Sequence, residues 1–428
     1  MTTHAASSGS DRIEWWRLLV GSVVAGVLAG ALGGAFRLVL RAADAARTAL
    51  LVTAHEHGTA GAVAAMGVAA VATGIAVWMV RRLEPAGAGS GIPNVEAALR
   101  GDHPPAGPRV IPVKFVGGTL AIGAGLALGR EGPTVQMGAT VGHLVGRALG
   151  APVADVRTLL AAGGAAGLAT AFNAPLAGLA FVIEELRHRV DAPTVVTTLG
   201  TSVAAIAVSR AMLGSAPDFS VLPTAPLGLR AIPLLLVLGV LAGLLGVVHN
   251  RLLLTAMREF ERAGSWPAGT TGVVVGAAVG VLAWFAPDLV GGGDLLAQRM
   301  IDGKATLALL PLLFLVRLLL GAASYGCGPP GGLFAPMLAL GAQLGLFVGL
   351  AAARWLPALV AEPQAYAIVG MAALFTAIVR APLTGIVLLA EMTGSLTLVL
   401  PMVAVSFAAH ATATLLGDEP IYEALGRR

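Results

Sequence analysis

The sequence predicts an all-α polytopic membrane protein made of two repeats, with tilted, broken and re-entrant helices. Three observations predict it. The first is composition: 57% of the 428 residues are hydrophobic and 12% are charged, whereas a soluble domain carries about 25% charge; mean hydropathy is +0.84. The second is run length. Apolar runs fill 18–36, 60–80, 115–129, 134–150, 158–183, 194–209, 231–248, 271–287, 305–316, 332–353, 364–379 and 382–416. Several exceed the roughly 20 residues of a spanning helix, and others fall short. Short runs imply broken or re-entrant helices, which survive at membrane depth only when buried in protein or lining a cavity. A β-barrel would alternate apolar and polar residues, and these runs do not. The third is internal repetition. Val113-Lys114, Gly118 and the stretch from Gly129 to Gly138-Ala139 return 203 positions later as Val316-Arg317, Gly321 and the stretch ending at Gly341-Ala342. Ala174-Pro175-Leu176-Ala177-Gly178 with Glu184 returns 207 positions later as Ala381-Pro382-Leu383-Thr384-Gly385 with Glu391. A duplicated membrane chain with matched Gly/Pro interruptions places a substrate path at the repeat interface.

The elements follow in order. Residues 1–14 are polar and short, with no small-residue cleavage site closing an apolar core, and read as a soluble tail. The first transmembrane repeat spans 15–215, a linker with Pro217, Asp218, Pro223 and Pro226 spans 216–228, and the second repeat spans 229–416. An odd number of spans in each half would invert their topologies. The tail 417–428 leaves no room for a soluble C-terminal regulatory domain. Basic residues sit at helix ends (Arg81, Arg82, Arg187, His188, Arg189, Arg427, Arg428), as positive-inside flanks do. No basic run is interleaved with aromatics, which argues against nucleic acid. The single cysteine, Cys327, excludes an internal disulfide. With 57 glycines, helices are expected to approach one another closely.

Three clusters carry the chemistry: Gly89-Ser90-Gly91-Ile92-Pro93, Gly129-Arg130-Glu131-Gly132-Pro133 and Gly331-Gly332-Leu333-Phe334-Ala335-Pro336. Proline suits the first turn of a helix, and glycine lets the chain bend ahead of it. A helix N-terminus presents unpaired N–H groups and the positive end of the dipole. Three such ends meeting in the bilayer would hold an anion without a fixed cation, and so let it go again. The plainer reading of each cluster is a break between spans; three together, two of them repeat-related, favour the anion site.

These segments resemble the signature segments of the CLC family of chloride channels and chloride/proton antiporters. The resemblance covers residues 89–422. It takes in Ser90 in G-S-G-I-P, Glu131 in G-R-E-G-P, Phe334 in G-x-F-x-P, Phe172-Asn173-Ala174-Pro175 followed by Glu184-Glu185, and Pro420-Ile421-Tyr422. It implies two inverted-topology repeats, a homodimer with one pathway per subunit, chloride and protons as substrates, and no cofactor or metal. It also points to a prokaryotic member in the cytoplasmic membrane. Glu131 is implied as the outer gate. A buried carboxyl group disfavours its charged form, so proton uptake and anion entry become linked. The duller role for Glu131 is a structural pair with Arg130. Glu185 is implied as the inner proton acceptor, the duller role being interfacial pairing with Arg187, His188 and Arg189. Ser90 and Tyr422 are implied to donate hydroxyls to a central chloride. The backbone N–H groups of Leu333 and Phe334 would complete that site, and those of Arg130, Glu131 and Gly132 an outer one. Glu184 and Glu391, paired by the repeat, read as equivalent structural acids. Asn173 and Arg380 read as helix-break residues. Lys114 and Arg317 either add positive potential to the path or snorkel to an interface.

A chloride/proton antiporter is the leading function, because both Glu131 and Glu185 are present. A passive chloride channel of the same family is the alternative. Ser90 between glycines also resembles the nucleophile of an intramembrane serine protease, with His143 or His249 as base; the duplication has no place in that reading. No ATP-binding or dinucleotide motif is present, so a pump is unsupported.

Overall fold

The three glycine/proline clusters noted above each lead into a helix, which begins at Ile92, Glu131 or Phe334. The computed structural model describes residues 8–221, 227–357, 360 and 362–428. The first half holds α1 (Ser8–Glu56), α2 (Gly58–Arg82), α3 (Ile92–Arg100), α4 (Val110–Gly123), α5 (Glu131–Ala148), α6 (Val153–Phe172), α7 (Pro175–Phe181, prolonged by a π-helical turn over Val182–Arg187) and α8 (Ala192–Leu213). The second half repeats the series as α9 (Ile232–Arg262), α10 (Thr270–Phe285), α11 (Asp294–Ile301), α12 (Leu310–Gly326), α13 (Phe334–Trp355), α14 (Ala365–Val379), α15 (Pro382–Thr393) and α16 (Val399–Leu415). A short α17 (Ile421–Gly426) follows. Among the described residues, five helices are long and apolar enough to cross a membrane: α1, α2, α8, α9 and α13. Met1–Ser7 of the N-terminal tail lies outside the described residues, and from Ser8 the chain is already α1.

Two apolar stretches are each divided. The run 158–183 breaks where Asn173 takes a left-handed φ of 54° and Pro175 starts α7. Proline cannot continue a helix from behind, and asparagine tolerates that backbone region. Arg380 (φ 71°) ahead of Pro382 does the same between α14 and α15. Within 382–416, Gly394 (φ 64°) ends α15. Helix α1, by contrast, outruns its apolar stretch 18–36. Its 49 residues would measure about 74 Å at 1.5 Å per residue. It continues because its charges find partners: Arg37 donates to Asp218 and Thr170 O, and Arg47 to Asp44 and Gly123 O.

The two halves are related by a two-fold rotation. Helices α2 and α10 are equivalent, and they pack against each other with Gly272 facing Thr73, Gly276 facing Ala69 and Gly280 facing Met66. One number climbs as the other falls, so the pair is antiparallel and the repeats have inverted topology. Reciprocal contacts between equivalent residues give the same result. Gly129 N–H donates to Gly332 O (2.8 Å), and Gly332 N–H returns the bond to Gly129 O (2.7 Å). The Glu391 carboxylate accepts from the first N–H groups of α7, Leu176 (3.1 Å) and Ala177 (2.8 Å). The Glu184 carboxylate does likewise at α15, accepting from Leu383 (2.9 Å) and Thr384 (2.6 Å). Each half therefore caps a helix of the other.

Close approach comes from glycine, as its abundance predicts. Gly138 lies against Gly163 O where α5 crosses α6, and Gly341 against Gly370 O where α13 crosses α14. A β-carbon at any of the four would overlap backbone, so the crossings tolerate no side chain. The segment joining the halves is pinned to both. Asp218 binds Arg37 and Arg130, Phe219 N–H donates to Met392 O, and Ser220 exchanges hydrogen bonds with Gln298. Pro223 and Pro226 lie outside the described residues.

Candidate anion and proton site

The N-terminal ends of α3, α5 and α13 are brought together by backbone bonds between their glycine loops. Besides the Gly129–Gly332 pair, Gly89 N–H donates to Pro329 O (3.1 Å) and Gly331 N–H to Gly89 O (2.9 Å). Gly89 (φ 53°) and Gly91 (φ 80°) both occupy the left-handed region, so the loop can turn on each side of Ser90. Gly132 meets Ser90 and Gly332 so closely that a β-carbon would lie 2.7 Å from Ser90 Cα. The helix α3 is only nine residues long and lies under the site rather than spanning anything.

Two buried cations hold the loops from behind. Lys114 Nζ donates to Gly89 O (2.7 Å). Its repeat partner Arg317 donates to Leu289 O (2.9 Å), Gly291 O (2.8 Å) and Gly292 O (3.0 Å), ahead of α11. Neither snorkels: Lys114 is 0% and Arg317 2% exposed. Each spends its donors on the carbonyls of a loop, which fixes the loop.

Glu131, the first residue of α5, is fully buried. Its carboxylate Oε1 accepts a 2.6 Å bond from Phe334 N–H, and its Oε2 has no hydrogen-bond partner among the described residues. The acid thus lies on the N-terminal N–H of α13, one of the groups singled out for the anion. It is not paired with Arg130. That guanidinium donates to Ala171 O (2.8 Å), pairs with Asp218 (2.8 Å) and, less closely, Asp294 (3.5 Å), and sits over the Phe172 ring. The Phe334 ring is enclosed by Phe172, Phe181, Phe375 and Tyr422, at centroid distances of 4.7 to 6.3 Å. Glu131 and Phe334 are both 0% exposed, so the bond between them is buried. Tyr422, on α17, is buried, and its hydroxyl finds no partner among the described residues. Ser90 Oγ accepts from Ile92 N–H at 3.3 Å. Leu333 and Gly132 complete the lining as backbone. Among the described residues no hydrogen bond joins either candidate histidine to Ser90: His143 Nδ1 has no partner, and His249 Nδ1 faces Asn250 Oδ1 (3.3 Å).

Glu185 lies on the π-helical turn of α7, 6% exposed, with its carboxyl against that of Glu96 on α3. Arg100 reaches Glu96 at 3.5 Å. The neighbouring cations do not take up Glu185. Arg187 donates to Thr158 and Arg189 pairs with Asp191. Sequence reasoning passed over three residues of this region. Glu96 had a signal, an acid among the apolar positions of a short helix. Asp218 read as linker, and Tyr325, whose hydroxyl accepts from Ser90 N–H (3.2 Å), lies between the apolar runs 305–316 and 332–353 and drew no reading.

The comparisons agree with this geometry. Residues 68–414 match the family model described as voltage gated chloride channel. The chain is 44% identical to the H(+)/Cl(-) exchange transporter ClcA of Vibrio cholerae serotype O1 (strain M66-2) over 360 residues, 83% of this chain and 77% of the relative. It is 40% identical to the H(+)/Cl(-) exchange transporter ClcA of Vibrio vulnificus (strain YJ016) over 413 residues, 95% of this chain and 88% of the relative. Among solved structures, a slow cyanobacterial Cl-/H+ antiporter superposes with a TM-score of 0.92 at 34% identity, covering 96% of this chain and 97% of that one. A CLC-type fluoride/proton antiporter shares the fold (TM-score 0.78, 22% identity, covering 97% of this chain and 98% of that one). With a matching family model across most of its length and close relatives along nearly all of it, the chain belongs to the voltage-gated chloride channel family.

Proposed function

We propose that this protein exchanges chloride for protons across the membrane, by competition between the Glu131 carboxylate and chloride for one cradle. The observation that carries the reading is the 2.6 Å bond from Phe334 N–H to Glu131 Oε1. An acid on the end of its own helix here occupies the place where N-terminal donors would hold an anion. When a proton neutralises the carboxyl group its hold on that donor weakens, and chloride takes the position between Ser90, Tyr422 and the backbone of Leu333 and Phe334. When chloride leaves, the carboxylate returns. The N-terminal N–H groups of Arg130, Glu131 and Gly132 form the outer site of the same path. Glu185 and Glu96 in contact are a place for a shared proton, and Glu185 passes it toward Glu131. The names of the exchange transporters and of the cyanobacterial antiporter support the same reading.

Orientation follows from charge. Arg81 and Arg428 line one cavity, Arg428 pairs with Glu261, and Arg100 lies beside Gly426 at the same end of the molecule as Glu185. Asp218 and Asp294 flank Arg130 on the far side of Glu131. The basic end is the cytoplasmic one by the positive-inside rule, in a prokaryotic inner membrane. A homodimer with one pathway in each subunit belongs to the same proposal.

Purified protein in liposomes tests it. An outward chloride gradient is expected to drive protons uphill, read by a pH electrode. Chloride movement without proton movement would instead make the protein a passive channel. The variant Glu185→Gln is expected to stop proton movement while chloride efflux continues, because the amide neither takes nor gives a proton.

A further inference from the structure

A cavity of about 480 Å³ opens at the basic end of the molecule and reaches the two glycines that flank Ser90; Arg81, Gly89, Gly91, Phe260, Tyr325 and Arg428 are among its lining. An anion approaching Ser90 through it meets few free backbone donors. Gly89 N–H is bound to Pro329 O, Ser90 N–H to the Tyr325 hydroxyl, and Ile92 N–H to Ser90 Oγ. The Tyr325 O–H remains as a donor beside the O–H of Ser90 itself. Tyr325 is 4% exposed and lines the cavity. Its oxygen is occupied as an acceptor by Ser90 N–H, and among the described residues its hydrogen has no acceptor. That hydrogen must point away from Ser90 N–H. Gly89 lies flat against the ring, where a β-carbon would come within 2.7 Å of the hydroxyl oxygen, so the loop is shaped to the tyrosine. The chain has three tyrosines, and two of them, Tyr325 and Tyr422, have hydroxyls with a hydrogen to give at this site.

We propose that Tyr325 is an anion-coordinating and selectivity-determining residue, whose hydroxyl receives the halide from the cavity and passes it to Ser90 and Tyr422. The proposal rests on the anion path described above. A hydroxyl that accepts a bond from a backbone N–H is polarised and becomes a better donor. It carries no charge, so it binds an anion without trapping it. A single O–H favours a small halide with concentrated charge over a large, diffuse anion such as thiocyanate.

The test uses the full-length protein in liposomes, with chloride and thiocyanate as probes. Tyr325→Phe is expected to raise the KM for chloride about 3- to 10-fold, the range of one modest hydrogen bond, and to raise that for thiocyanate less. The proton-to-chloride ratio is expected to hold, because Glu131 is untouched. Phenylalanine also frees Ser90 N–H, so a second substitution separates donor from buttress. Fluorinated tyrosine at position 325 has a stronger O–H donor and a weaker oxygen acceptor. Coordination requires a lower chloride KM, whereas a purely structural role requires a higher one. An unchanged KM in Tyr325→Phe, or a raised KM with fluorotyrosine, overturns the proposal. If the wild-type protein moves chloride without protons, the exchange reading fails while the KM comparison still judges Tyr325.

Discussion

Replacing Glu131 by alanine is expected to abolish proton transport and to leave chloride flux running. The carboxylate sits buried on Phe334 N–H, with one oxygen unpartnered among the described residues. Removing it empties the cradle of its own competitor. On the proposed mechanism chloride then meets the helix ends with nothing to displace, while protons lose the carboxyl group that would carry them past it. In liposomes under a chloride gradient, proton uptake should fall to the level of protein-free vesicles, and chloride efflux should persist. Chloride binding to the purified variant, read by calorimetry, should be tighter than to the parent. Glu131→Gln is expected to behave in the same way, since the amide imitates the neutral acid in shape. Loss of both fluxes in a folded variant would mean that the carboxylate only holds the structure together. The ion pair that such a role needs is missing, because Arg130 is engaged by Asp218 and Asp294.

The second large effect concerns stability. Glu391→Ala removes the acceptor for two N–H groups at the start of α7, and Glu184→Ala removes it for two at the start of α15 together with the Thr384 hydroxyl. Bonds to a charged acceptor contribute about 1.5–3 kcal/mol when shielded, and a lost cap costs about 0.5–2 kcal/mol. Both carboxylates are partly open to solvent, so about 2 kcal/mol per site is the expected loss. The midpoint of thermal unfolding in detergent should fall for each variant, and further for the double variant. Glutamine should recover part of the loss, since it keeps an acceptor oxygen. Both caps stand on the packed pair α7 and α15, and the double variant measures how far their losses add. Losses confined to one site would mean that the symmetry of the contacts is not a symmetry of energy.

The sequence carried the repeat, the helix breaks and the strings around Ser90, Glu131, Phe334 and Tyr422 openly, because glycine, proline and a buried acid are local signals. Asn173 and Arg380 could be read as break residues for the same reason, as each precedes Ala-Pro-Leu. What stayed hidden depends on partners far along the chain. Tyr325 meets Ser90 across 235 positions and Asp218 meets Arg37 across 181. Nothing beside either residue announces the other. The full length of α1 was hidden likewise, since a run of charges reads as a helix end until its acceptors are known. Lys114 and Arg317 left two readings open, and only the carbonyls around them in the folded chain decide between those.

The paired bond between Gly129 and Gly332 also bears on how the protein is made. A ribosome that has released only the first half has produced half of each shared feature: one strand of the bridge, a helix end without its cap, an acid without its cradle. The conduit is absent until the glycine of the second half arrives. A product truncated after the first half would lack Gly332 and Phe334, and with them the partners of the Gly129 bridge and of the Glu131 carboxylate.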